Sequence, residues 1–203
     1  MKKKFTILML ISVLSCLAVK AQIKEGTWFV NGLNVASVQF GSYLSDGSYG
    51  GRTNFTSVAI GPFPSLIQLS NSPTLSYGIN SKWSGGLFLD LSTMHEKENN
   101  YDYSMSTILL GPAVRYYLVG QRQSSPYLEG RLGFGGSKSG SNASDKSNLF
   151  GYELGIGDTY FCTPHFGFDF GMGYEHLAEK PKDSSDKTTY GFFYIGVGVL
   201  VVF

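Results

Sequence analysis

The chain has 203 residues, among them 26 Gly, 15 Phe and 13 Tyr, and only 15% are charged. That length suits one domain, and so much glycine and aromatic content without long aliphatic runs fits a membrane barrel with aromatic girdles or some soluble all-β sandwiches. The formal net charge is +1, and it is −3 for residues 22–203, because residues 1–21 hold four of the 16 basic side chains and none of the 15 acidic ones; a mildly acidic chain excludes an electrostatic case for nucleic-acid binding.

The N-terminus reads as an export signal. Lys2, Lys3 and Lys4 form a basic start, and Phe5 to Val19 is an almost unbroken apolar stretch. That stretch is shorter than the ~20 residues a spanning helix needs. Val19-Lys20-Ala21 offers a small-residue cleavage site, with Gln22 as the first mature residue. The expected organisation is a signal peptide at 1–21 and one domain at 22–203. Val13-Leu14-Ser15-Cys16 resembles a loose lipoprotein box, which keeps lipidation at Cys16 open as the alternative. Leu17-Ala18-Val19 continue the apolar run, however, and favour cleavage after Ala21. The remaining cysteine, Cys162, then has no partner for an internal disulfide, so a disulfide-built scaffold is excluded.

Beyond Ala21 no sustained helical period occurs; short strand-like segments recur instead. The first, Thr27–Phe40, has a blurred phase, and its facing stays open. Gly41–Ser65 is a long polar connection. Within it Arg52–Gly61 reads as a strand before Pro62 and Pro64, either an arm of a hairpin that extends this loop or the true second strand, and the even strand number of membrane barrels favours the arm. In Leu66–Ile79, Leu69, Leu75, Tyr77 and Ile79 oppose Gln68, Ser70, Ser72, Thr74 and Ser76. In Lys82–Thr93, Leu87, Leu89 and Leu91 oppose Phe88, Asp90 and Ser92. Ser104–Val119 sets Ile108, Leu110, Val114, Tyr116 and Leu118 against Thr107, Gly111, Ala113 and Arg115. Tyr127–Gly136 sets Leu128, Leu132 and Phe134 against Glu129, Arg131, Gly133 and Gly135. In Leu149–Phe161, Phe150, Tyr152, Leu154 and Ile156 oppose Gly151, Glu153, Gly155 and Gly157. Phe166, Phe168, Phe170, Met172 and Tyr174 then alternate with Gly167, Asp169, Gly171, Gly173 and Glu175. In the last segment, Thr189–Phe203, Phe193, Ile195, Val197, Val199, Val201 and Phe203 share one face. A helix would scatter these residues around its cylinder.

Eight segments of ~10 or more residues match what a tilted strand needs to cross the hydrocarbon core. Long polar joins (Gly41–Ser65, His95–Tyr103, Ser137–Ser147, Leu177–Thr188) alternate with short ones (Asn80-Ser81, Gly120–Pro126, Cys162–His165), as extracellular loops and periplasmic turns do. The expected fold is therefore all-β: a closed antiparallel up-and-down transmembrane β-barrel of eight strands. The apolar outer faces argue against a soluble lipocalin-type barrel. Tyr116, Tyr127, Tyr160, Phe166 and Phe203 fall at the periplasmic end, and Tyr103, Phe150, Tyr152, Tyr174 and Tyr190 at the outer end, giving two aromatic rings; Tyr190 shares the face of Phe192 and Tyr194, which leaves an inward position open for it. Asp158 conflicts with strict alternation, which turns it toward lipid unless a bulge redirects it.

The terminal Phe203 after alternating apolar residues, together with Leu75-Ser76-Tyr77-Gly78-Ile79 and Gly111-Pro112-Ala113-Val114-Arg115-Tyr116-Tyr117, resembles the small outer-membrane β-barrel family that includes OmpA-like transmembrane domains. The resemblance covers essentially all of residues 22–203. It implies the outer membrane of a Gram-negative bacterium as location and outer-membrane lipid as surroundings. Periplasmic chaperones and the barrel assembly machinery are the implied partners, the latter reading Phe203 as its C-terminal signal. No peptidoglycan-binding domain is expected after the last strand. The resemblance specifies a barrel and no biochemical role.

Seven charged residues are assigned to the interior: Asp90, Arg115, Glu129, Arg131, Glu153, Asp169 and Glu175. An eight-stranded bore is just wide enough to be filled by side chains, and buried charges must be paired. The expected arrangement is a structural network that plugs the lumen. His95-Glu96 and Glu175-His176 are candidates to meet at the outer rim around a metal, but two His-acid pairs have no fixed spacing, and they are read as solvated loop residues. No G-x-S-x-G elbow occurs, and strand spacing puts no serine beside a histidine. The glycine-rich runs at 133–136 and 151–157 precede no helix and lack a G-K-[ST] motif, so they are not phosphate-binding loops. No cofactor, metal or catalytic set is expected. The leading function is a non-enzymatic structural or surface-interaction barrel whose loop partner the sequence does not name. A narrow conduit for a small ligand, apolar ones included, is the alternative, motivated by inward Phe88, Phe192 and Tyr194. A lipid-modifying enzyme ranks third.

Overall fold

The computed structural model describes residues 23–45, 51–60, 69, 72–98, 101–119, 123–140, 145–183 and 186–203. The expected signal peptide, Cys16, Pro62, Pro64, Gln68 and Ser70 lie outside them. Among the described residues nine strands form one antiparallel sheet: β1 (Trp28–Ser45), β2 (Arg52–Ile60), β3 (Thr74–Gly78), β4 (Trp83–Glu98), β5 (Tyr101–Tyr117), β6 (Ser124–Gly140), β7 (Asp145–Thr163), β8 (Phe166–Pro181) and β9 (Thr188–Val202). Their spatial order is β2-β1-β3-β4-β5-β6-β7-β8-β9, and β1 pairs again with β9. Eight strands therefore close a ring, and β2 stands outside it as a ninth. Arg52 to Ile60 pair with the outer part of β1, from Leu44 to Ala36, as an arm of the first hairpin.

Alternation explains the wall. Leu87, Leu89 and Leu91 are exposed while Phe88 and Asp90 are buried, and the same parity holds along β5 to β9. An apolar exterior around a filled interior suits a strand with lipid on one side and a bore on the other. The blurred phase of β1 has a cause in its pairing with β9. Two register irregularities, between Val30 and Leu33 and between Asn34 and Ala36, each insert one residue. Two insertions restore the original parity, so Phe29 and Asn31 below and Ser37 and Gln39 above all point inward. Gly32, at φ +78°, takes the left-handed turn between them, and a side chain there would run into Ser72 and Arg131.

The structure corrects three expectations. The polar stretches at His95–Tyr103, Ser137–Ser147 and Leu177–Thr188 are largely strand: β4 runs to Glu98, β5 begins at Tyr101, and β8 continues to Pro181. Polarity there marks where the wall meets water, and the hydrogen-bond ladder continues past that level. The second ring strand is shorter than Leu66–Ile79. Among the described residues it is Thr74–Gly78: the Pro73 carbonyl still accepts from Leu89 N–H, but Pro73 has no N–H to return, and Ser72 and Leu69 before it lie inside the bore. Leu69, expected outward, is 1% exposed inside the bore.

Aromatic rings mark both membrane edges, and they include Tyr116, Phe150, Tyr152 and Tyr174 of the expected members. At the end carrying the short turns, Trp28 packs on Tyr77 and Trp83 on Tyr116, with ring centroids 5.1 and 4.7 Å apart. At the other end Phe134 meets Phe150, and Tyr174 meets both Tyr152 and Phe193. Tyr127 belongs to neither ring, because it points into the bore. Tyr190 is half-buried and packs against the apolar residues of the upper bore. The Tyr103 side chain is outside the described atoms. Asp158 sits in regular register opposite Pro126 without a bulge, and the Ser124 hydroxyl donates to it at 2.6 Å.

Candidate functional site

The bore is filled in three layers. Nearest the short turns lies an apolar floor of Ile23, Phe29, Tyr117, Tyr127, Phe161, Leu200 and Val202. Ile23 reaches it because the chain before β1 folds back along β3: Gly26 N–H donates to the Gly78 carbonyl, and Gly78 N–H donates to that of Thr27, at 2.9 and 2.8 Å. Toward the outer end lies a second apolar layer of Leu69, Phe88, Leu109, Ala113, Leu149 and Leu177. The charged residues lie between the two.

Two arginines organise the middle layer. Arg115 Nε donates to Glu129 Oε2 at 2.5 Å, and its Nη1 donates to Asp169 Oδ2 at 3.0 Å and Thr159 Oγ1 at 3.3 Å. Its guanidinium also lies 3.7 Å over the Tyr127 ring, a cation–π contact that joins the ionic layer to the floor. With its amide oxygen turned toward the guanidinium, Asn31 accepts from Arg115 Nη2 at 2.8 Å. Arg131 Nε donates to the other oxygen of Glu129 at 2.5 Å and lies 3.4 Å from Glu153 Oε2. Glu129 therefore bridges the two cations, one oxygen to each. The Tyr194 hydroxyl donates to Glu153, and the Thr159 hydroxyl to Asp169.

Chain entering from the wall completes the layer. Arg131 Nη1 donates to the Leu69 carbonyl and, at 3.3 Å, to that of Ser72. Leu69 N–H donates to Glu175 Oε2 at 3.1 Å, and the Ser72 hydroxyl to Asp90 Oδ2 at 3.0 Å. Backbone that leaves a ladder inside a bore must find partners, and buried ions supply them here. That is why Leu69 escapes the outward position its spacing suggests.

All seven charged residues are thus buried in the bore, and six of them meet in one network or at its edge. Asp90, the seventh, is tied to them through Ser72: it accepts from the Ser72 hydroxyl, and Arg131 donates to the Ser72 carbonyl. Asn31, Thr159, Tyr127 and Tyr194 belong to the same cluster. Tyr127 had a readable signal, since it shares the parity of Glu129 and Arg131. A cavity of about 20 Å³ lies among Arg115, Arg131, Glu153, Asp169 and Tyr194, room for roughly one water. His165 and His176, the histidines whose side chains are described, lie toward opposite ends of the barrel. Glu175 is inside the bore, whereas its neighbour His176 faces out and stacks on Tyr152 at 5.0 Å. His165 lies in the β7–β8 turn with Nδ1 3.2 Å from the Val202 carbonyl, and the His95 side chain is outside the described atoms. Consecutive strand residues point to opposite faces, so Glu175-His176 cannot chelate one ion. Among the described residues no group of three metal-binding side chains occurs.

Comparison with known protein families gives no match, and no curated protein is similar in sequence. Solved structures do match. Neisserial surface protein A superimposes with a TM-score of 0.52 at 21% identity, over 88% of this chain and 100% of that one. The outer membrane protein OprG from Pseudomonas aeruginosa superimposes with a TM-score of 0.50 at 16% identity, over 89% and 97%. These similarities and the lipid-facing exterior support an outer-membrane location. A closed ring of eight antiparallel strands, filled inside and apolar outside, is the fold of the small outer-membrane β-barrel proteins, and it is the fold of this chain.

Proposed function

We propose that the protein is a non-conducting, non-enzymatic outer-membrane barrel that contributes to envelope structure or to contacts at the cell surface. One observation carries this reading: the bore is closed by an ion-paired layer between two apolar ones, beside a cavity of about 20 Å³. A solute-conducting path needs continuous water, and this stack interrupts it twice. Binding would then reside on the outer hairpins, where β4 to β9 extend beyond the aromatic ring. Outer-membrane lipid surrounds the barrel, and Phe203, exposed at the end of β9, remains the residue offered to the assembly machinery.

Single-channel recording of the refolded protein in planar bilayers tests the reading, with heat-modifiable gel migration to show that the barrel is folded. Folded protein without steady conductance is the expected result. Stable openings that change with Arg115→Gln or Arg131→Gln would overturn it.

One observation favours a second reading, the conduit for a small apolar ligand. β3 is five residues long, and among the described residues no strand pairs with β4 beyond Leu89 on that side. This part of the wall stands next to the layer containing Leu69, Phe88 and Leu109. Ligand-dependent protection of those residues, rather than conductance, would select it.

A further inference from the structure

We propose that the outward face of β6, β7 and β8, just beyond the outer aromatic ring, docks the phosphate groups of outer-leaflet glycolipid. Lys138 and Lys146 stand directly opposite each other on neighbouring strands. Lys182 continues the row, because its N–H donates to the Lys146 carbonyl at 2.8 Å. Lys180 pairs with Asn148, one outward position closer to the membrane. All four are exposed.

Side chains directly opposite on one sheet face have Cβ atoms about 4.5–5.5 Å apart, and like charges placed so repel. No carboxylate on this face relieves the repulsion. Its outward positions are Gly136, Lys138 and Gly140 on β6, Lys146, Asn148 and Phe150 on β7, and Ala178 and Lys180 on β8. Asp145 has the inward parity of Ser147, and Glu179 accepts from the inward Ser137 hydroxyl at 2.7 Å. Asp183 lies in the turn beyond the row. A row of cations with no carboxylate among the described outward positions of its strands is a site for an anion with several oxygens.

Position selects the lipid as its source. Phe134 and Phe150 form the ring directly beneath, opposite each other on β6 and β7, and Ala178 is level with them on β8. Lys180 is two residues above that level, about 7 Å along the strand, and Lys138 and Lys146 are four residues above, about 13 Å. That is headgroup depth, and the face looks sideways along the membrane surface and away from the bore. Acyl chains would lie on Phe134, Phe150 and Leu154 while phosphates met the lysines. The inference needs the long-hairpin end to face outward and is independent of whether the bore conducts.

The test places the refolded protein in phosphatidylcholine nanodiscs containing a minor fraction of diphosphoryl lipid A and counts retained lipid A by native mass spectrometry. Wild type is expected to enrich lipid A. The combined Lys138→Gln, Lys146→Gln and Lys180→Gln variant should lose about tenfold of that enrichment, and wild-type enrichment should weaken with salt. Lys24→Gln with Lys82→Gln, at the opposite rim, should change nothing. The substituted side chains are exposed, and heat-modifiable migration verifies folding of each variant. Undiminished retention by the triple variant overturns the proposal. So does equal retention of dephosphorylated lipid A, which would make the contact purely apolar. Binding of inorganic phosphate by the detergent-solubilised protein as tight as that of lipid A, and lost in the triple variant, would overturn the lipid as the source.

Discussion

Arg131 meets Glu129 and Glu153 through its guanidinium and also holds the Leu69 and Ser72 carbonyls, so one side chain ties together two strands and the chain that enters the bore. Removing one partner of a buried ion pair leaves an uncompensated charge, at a cost of about 3–5 kcal/mol. Arg131→Met should therefore lower stability by that amount in urea titrations of the barrel folded into lipid vesicles. Arg52→Gln, which loses only an exposed hydrogen bond to Ser42, should stay within about 0.5 kcal/mol. If the two variants behave alike, the network contributes little to stability. At this scale the sequence is informative about which side chains enter the bore, because parity alone assigns all seven charged residues inward. It is silent about pairing. Glu129 bridges both arginines, and Asp90 is tied in through Ser72, by angles and depths that no spacing encodes. Leu69 was unreadable for another reason: its inward position comes from a departure of the backbone from the wall, which alternation cannot register.

Among the elements, β2 and β3 differ from the rest. Among the described residues β2 pairs only with β1, and β3 contributes five residues to the ring. A strand with one neighbour and a free edge opens at lower cost than a strand paired on both sides. Amide exchange of the barrel in detergent or nanodiscs should be fastest at Arg52–Ile60 and in the outer half of β4, and slowest in β6 and β7. Uniform protection would show that another segment covers those edges. Adding a long-chain fatty acid to the same measurement separates the two functional readings, since protection appearing at Phe88 and Leu109 would support the conduit. Strand parity on β4 to β9 was legible because lipid and bore impose opposite demands on successive residues. Strand ends were not, since a ladder continues into water with serine, threonine and lysine as readily as it ends there.

For the molecule as a whole, the alternation of long and short joins carried the topology, and the apolar exterior fixes which surface meets lipid. Ile156 lies outward on β7, between the Tyr160 and Tyr152 levels. An arginine there faces the middle of the hydrocarbon slab. Ile156→Arg should cost about 2–4 kcal/mol in vesicle unfolding, and Tyr160→Arg, at the edge, about 0–1 kcal/mol. Equal costs at the two depths would mean that this face does not meet a membrane.

The ring is closed by its first strand lying against its last, from Phe29 beside Val202 to Ser45 beside Thr188. These partners are nearly the whole domain apart in sequence, so the seam is the most non-local contact in the molecule. Loop-closure entropy must be met before such a contact returns any energy, and topologies dominated by distant pairings fold slowly. Until β9 has emerged, β1 carries an open edge with no permanent neighbour on that side, and an open edge is a template for pairing with other chains. The architecture that leaves the finished barrel without a seam edge therefore makes its precursor prone to aggregation for as long as export and assembly take.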